Sequence, residues 1–179
     1  MQRRTITSIV ISFLATAFAA SWVVTDQNKW KSLRSTADDD AEVVYLGTAG
    51  VVLQERSNDC GVAALIMILD HYGIKASLRT MEQKAPRKFG GASLFALKTM
   101  AQEAGLGAEG WKLSPEDLRK VQLPAILFIE NHHFVVVDSM NGKGILFVRD
   151  PAVGRLKIPR KRAIDIWKGE TLVITRGSR

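Results

Sequence analysis

Apolar residues follow three different spacings along this 179-residue chain. From Ile6 to Val24 they run without any charged residue. From Cys60 they recur at helical intervals, and from Pro124 they come in short β-branched runs. The strongest helical stretch is Cys60 to Tyr72, where Val62, Leu65, Ile66 and Leu69 fall at i, i+3, i+4 and i+7. Ala63, Ala64, Met67 and Ile68 fill much of the remaining circumference, the pattern of a helix buried on all sides. Asn58 or Asp59 is placed to cap it, and Gly73 to stop it. Before it, Val43 to Leu46 and Val51 to Leu53 predict two short strands separated by Gly47 and Gly50.

After this helix the spacing predicts a second, more polar helix from Ser77 to Lys84, closed by Pro86. A loop then carries Gly90 and Gly91. These two glycines raise the idea of self-cleavage, but a flexible loop is the plainer account. Ser93 caps a third helix that stops at Gly105, and a strand is expected around Trp111. Ser114-Pro115-Glu116-Asp117 reads as a helix start, with a cap, proline at the first position and acids in the first turn. Strands follow at Ala125 to Ile129, His133 to Val137, Ile145 to Val148 and Arg155 to Ile158, with Asn141-Gly142 as a tight hairpin turn. A short helix from Pro159 to Trp167 and a strand at Leu172 to Ile174 complete the pattern. Helices first and an antiparallel sheet afterwards predict the α+β class.

The remaining composition divides the chain into parts. Arg3 and Arg4, the uncharged run to Val24 and Ala17-Phe18-Ala19 form an export segment over residues 1–24, either a cleaved signal peptide or a retained membrane anchor. Residues 25–42 are polar, end in an acidic run, and read as a linker. Residues 43–179 are long enough for one domain with its own core. On either reading of the export segment this domain is expected outside the cytoplasm, in the periplasm or anchored to the inner membrane facing it. The net charge of +7 is mildly basic, and no nucleic-acid-binding motif accompanies it. Arg155, Lys157, Arg160, Lys161 and Arg162 form a basic cluster, read as a solvated face, with anionic lipid or an acidic substrate segment as the alternative. Three scattered histidines and a single cysteine exclude a multi-cysteine zinc site and an intramolecular disulfide. No cofactor is implied.

The single cysteine, Cys60, lies where a polar loop turns into the buried helix. A lone cysteine is most often a small buried hydrophobe. His133 among Val and Phe, and Asp150 before Pro151, each have an ordinary explanation as a core histidine and a turn residue. Together they allow something more specific. A two-residue loop at Asn141-Gly142 would place His133 and Asp150 directly opposite each other, with Cβ atoms about 4.5–5.5 Å apart. A thiol at a helix N-terminus, an imidazole beside it and a carboxylate behind the imidazole form a nucleophile, an acid–base and an orienting group. Gln54, six positions before Cys60, is a candidate amide donor to a tetrahedral oxyanion, with the Cys60 N–H as its partner. His132 is expected at the surface, and His71 in the last turn of the helix.

Gln54-x5-Cys60-Gly61-x-Ala63-x-Leu65-x-Met67, then His133-Phe134-Val135-Val136, then Asp150-Pro151-x-x-Gly154, resembles the bacteriocin-processing, double-glycine leader peptidases. These are papain-like cysteine peptidases, best known as N-terminal domains of peptide-exporting ABC transporters. The resemblance covers residues 50 to 175. It implies Cys60 as nucleophile, His133 as acid and base, Asp150 as orienter, Gln54 in the oxyanion hole, and cleavage after a Gly-Gly pair. No ATP-binding motif follows in these 179 residues, and an export segment precedes the domain. The resemblance is therefore to a stand-alone, exported member, with secretion-system components as possible partners. A peptidase-fold module that binds secretion substrates without cutting them, and a cell-wall amidase, are the competing readings.

Overall fold

The computed structural model describes residues 42–84 and 91–177. The expected export segment, nearly all of the linker, and Pro86 to Gly90 lie outside the described residues. Among the described residues no helix is long and apolar enough to cross a membrane.

Seven strands form one antiparallel sheet in the order β1-β6-β5-β4-β3-β7-β2. They are β1 (Val44–Tyr45), β2 (Leu106–Lys112), β3 (Ala125–Ile129), β4 (His133–Met140), β5 (Leu146–Asp150), β6 (Gly154–Ile158) and β7 (Trp167–Arg176). The helices are α1 (Cys60–His71), α2 (Leu78–Lys84), α3 (Leu94–Glu103), α4 (Pro115–Leu118) and α5 (Arg160–Ile166). The α+β expectation therefore holds.

Helix α1 is the centre of the core. Every residue from Cys60 to Leu69 is buried. It packs on β4 and β3 on one side and on α2 and α3 on the other. Its neighbours in the core include Leu97, Met100, Ile126, Phe134, Val136, Leu172 and Ile174. Burying one such side chain contributes about 1.5–3 kcal/mol, which is why the all-round apolar pattern overrides any surface role for this helix. Ser93 caps α3 as expected, its Oγ accepting the Ala96 N–H at 3.1 Å. Ser114 caps α4 in the same way.

Three expectations need correction. Val51 to Leu53 do not form a strand. Val51 and Val52 pack against the α1 core, while the Val51 N–H bonds to Thr48 O and the Gln54 N–H to Pro151 O. Strand β7 is far longer than Leu172 to Ile174, because the polar residues before that run still pair with β2 and β3. The turn after β4 is not a two-residue loop at Asn141-Gly142. The Asn141 side chain accepts the N–H groups of Lys143 and Ile145, and the chain reverses with Gly144 in the left-handed region. The pairing of β4 with β5 also slips at Asp138.

The basic cluster is spread over β6 and α5. Arg155 faces Asp138, Arg160 pairs with Glu116, and Arg162 faces Glu130. Three of its five cations thus have acidic partners, in keeping with a solvated face.

Candidate active site

Cys60 is the first residue of α1 and is 5% exposed. Its neighbour Gly61 explains how the helix start meets the sheet. A Cβ on Gly61 would lie 3.0 Å from Phe134 Cδ2 and 3.2 Å from Leu97 Cδ1. Phe134 follows His133 in β4. The absence of a side chain at Gly61 therefore lets α1 and β4 close up where their chemistry-bearing residues begin.

His133 opens β4 directly after a tight turn on Glu130 and Asn131, both in the left-handed region. That conformation suits Asn better than most residues and marks the position as a built turn. His133 is buried, and its Nε2 lies 2.8 Å from Asp150 Oδ1. The pair is not directly opposed, as the two-residue loop required. Arg149 stands across from Val136, so Asp150 is a diagonal neighbour of His133. A diagonal neighbour is still within reach of long side chains. Asp150 Oδ1 also accepts the Ala152 N–H at 2.7 Å. The turn role and the histidine-partner role, weighed as alternatives for this residue, are filled by one oxygen.

Cys60 interacts with the His133 ring. With Nε2 taken by Asp150, Nδ1 is the nitrogen left to face the thiol. Burial is the largest influence on the ring's proton affinity and lowers it. The hydrogen bond to Asp150, then the interaction with Cys60, raise it, and the balance stands at about 10 against an ordinary 6.5. Asp150 and Cys60 thus both favour the protonated ring against the effect of burial. Such an arrangement can hold a thiolate and later deliver a proton.

Gln54 reaches the site through its backbone, its N–H bonding to the Pro151 carbonyl next to Asp150 at 2.8 Å. Its side-chain Nε2 donates to Arg56 O at 3.0 Å, which leaves the second amide N–H available. Asp59 occupies the N-cap position of α1 but makes no capping bond. Its Oδ2 instead accepts the N–H groups of Glu55 and Arg56, at 3.1 and 3.0 Å. Sequence spacing marked Asp59 only as a cap, and nothing in the residue pattern revealed this other use.

Arg149 was also missed. It pairs with Asp138 and donates to Gly50 O, fastening the approach to Gln54 onto the sheet. His132 lies in the turn rather than on β4, and is exposed, with Nδ1 2.7 Å from Glu130 O. His71 is exposed at the end of α1. Among the described residues no three His, Cys, Asp or Glu groups converge as a metal site would require.

A helix that begins on a cysteine, laid against an antiparallel sheet bearing a His–Asp pair, is the architecture of papain-like cysteine peptidases. The chain belongs to the peptidase C39 family, whose model matches residues 48–179. Among solved structures it is similar to a double glycine motif protease from an AMS/PCAT transporter, crystallised with the leader peptide. The TM-score is 0.66 and the identity 30%, over 75% of this chain and 97% of that one. The peptidase domain of Streptococcus ComA shares the fold, with a TM-score of 0.64 at 20% identity over 70% of this chain and 97% of that one. An uncharacterised protein of Methanothermobacter thermautotrophicus is 31% identical over 131 residues, 73% of this chain and 92% of that protein. The lactococcin-G-processing and transport ATP-binding protein LagD of Lactococcus lactis is 29% identical, over 68% of this chain but only 18% of LagD. The probable functional amyloid protease FapD of Pseudomonas fluorescens is also 29% identical, over 68% of this chain and 58% of FapD.

Proposed function

We propose that this chain is a cysteine endopeptidase that cuts an exported polypeptide after a Gly-Gly pair, outside the cytoplasm. The observation that carries this reading is His133, buried, with Nε2 2.8 Å from Asp150 Oδ1 and its ring in contact with Cys60. The Cys60 sulfur attacks the carbonyl carbon of the scissile peptide. The oxyanion that forms is met by the Gln54 amide and the Cys60 N–H at the start of α1, whose first-turn donors Asp59 does not cap. His133 gives its Nδ1 proton to the leaving amine as the C–N bond breaks. Water then attacks the thioester, its proton passing to His133, and the C–S bond breaks to release the carboxylate product. Asp150 holds the ring's orientation throughout.

Substrate and place rest on other grounds. The resemblance to double-glycine leader peptidases supports the Gly-Gly site. The uncharged stretch from Ile6 to Val24 supports action beyond the inner membrane. The likeness to FapD supports a secreted, self-assembling protein as one class of substrate. The test is the secreted-protein profile of a strain carrying Cys60→Ala, read by N-terminal mass spectrometry. The expected result is an uncleaved species whose wild-type counterpart begins after Gly-Gly. An unchanged set of N-termini, or full export and processing with Cys60→Ala, would overturn the reading.

A further inference from the structure

The structure assigns Asp59 as the residue that positions the oxyanion donor, an inference that rests on the peptidase reading above. An aspartate at an N-cap normally accepts N–H groups of the following helical turn. Asp59 does not. Its Oδ2 turns back to the Glu55 and Arg56 N–H groups. Arg56 in turn holds Gln54, because its carbonyl accepts the Gln54 Nε2–H. The chain of contacts therefore runs from the Asp59 carboxylate, through the Arg56 backbone, to the side-chain amide of Gln54. On the other side of Gln54, its own N–H is fixed by Pro151 O. The Gln54 backbone is thus tied to the Asp150 turn, and its side-chain amide to Arg56, while its Oε1 is buried with no hydrogen-bond partner.

Two features argue against a merely structural acceptor. Asp59 is only 3% exposed, and its second oxygen, Oδ1, is buried with no hydrogen-bond partner. A buried, half-satisfied carboxylate costs stability. Turning away from α1 also leaves the N–H groups of Gly61 and Val62 without a side-chain cap, so the positive end of the helix stays open beside Cys60. One side chain thus places Gln54 and leaves the helix start open.

The experiment compares two reactions of Cys60 in the whole protein. With p-nitrophenyl acetate, the sulfur attacks the acetyl carbonyl, p-nitrophenolate leaves, and S-acetyl Cys60 forms through a tetrahedral oxyanion. With iodoacetamide, a C–S bond forms as iodide leaves, and no oxyanion arises. Asp59→Ala is expected to slow acylation about 10- to 100-fold, as a displaced oxyanion donor does. Alkylation is expected to stay within about twofold, since it needs no such donor. Asp59→Asn keeps an acceptor oxygen and restores most of the acylation rate. In a Gln54→Ala background, Asp59→Ala adds no further loss, because it acts through Gln54. Should Asp59→Ala fail to fold, Asp59→Ser, too short to reach both N–H groups, gives the same comparison. Acylation unaffected by these variants, acylation and alkylation falling together, or additive losses with Gln54→Ala would overturn the role of Asp59 alone. Wild-type Cys60 reacting no faster than the unfolded chain with either reagent would overturn the peptidase reading, and this inference with it.

Discussion

Replacing Asp150 with Asn tests whether a carboxylate charge holds the proton on His133. Asn keeps an oxygen able to meet both the His133 Nε2–H and the Ala152 N–H, so shape and hydrogen bonding are largely retained. Only the charge goes. In the wild type the ring's pKa stands at about 10 against an ordinary 6.5, despite burial that pulls it down. That difference corresponds to about 5 kcal/mol in favour of the charged ring, at about 1.4 kcal/mol per pH unit. Asp150 supplies the larger part of the upward pull, ahead of Cys60. Asp150→Asn should therefore lower the midpoint by about 2 pH units or more, on the scale by which neighbouring charges move pKa values. The assay is an NMR titration of the His133 imidazole in reduced, labelled protein, assigned with His133→Gln. Stability should follow the same linkage. A group whose pKa is raised on folding stabilises fully below its unfolded value and loses that contribution as pH rises through its folded value. The margin of wild type over Asp150→Asn is thus fully present at and below about pH 6.5 and shrinks toward pH 10. A wild-type midpoint below about 7, or one unmoved by Asp150→Asn, would refute the reasoning. A stability margin that widens with pH would refute it as well.

Two substitutions away from the titrating groups probe the scaffold. Gly61→Ala should gain about 1 kcal/mol of helix propensity but lose more by pressing on the buried Phe134 and Leu97. A net loss of about 1 kcal/mol in urea denaturation, with slower alkylation of Cys60, is the expected result, and a more stable variant would show that α1 and β4 are not closely fitted there. Ser93→Ala removes the cap on α3 and should lower the urea midpoint by the equivalent of about 1 kcal/mol at unchanged m-value, leaving Cys60 alkylation untouched.

Elements whose stability comes from local signals were the legible ones. The continuous apolar run after Cys60, the Ser93 and Ser114 caps, and the β-branched runs at Ala125 and His133 each announce themselves within a few residues. What the residue pattern could not show was decided by contacts distant in sequence. Val51 and Val52 have strand propensity, but core packing and the Pro151 carbonyl claim that segment. Asn141-Gly142 has the chemistry of a two-residue turn, yet Gly144 makes the reversal and a slip at Asp138 resets the register. His133 and Asp150 nevertheless meet, because the imidazole is long enough to span the wider gap of a diagonal pair, Nε2 lying 2.8 Å from Asp150 Oδ1. The opposed register of a two-residue loop is not what joins them; the slipped register still leaves them hydrogen-bonded. Asp59 could not be read at all, since capping and its actual bonds call for the same residue type.

The order of strands has a consequence for how the molecule is made. Strand β7 comes last in the chain but sits inside the sheet, between β3 and β2. A nascent chain that has reached β6 already carries Cys60, His133 and Asp150. It still lacks the strand that joins β2, and the α3 packed on it, to the rest. Until Trp167 to Arg176 arrive, one flank of α1 has no finished wall. The core around Cys60 is therefore closed by a strand made after every other strand of the sheet.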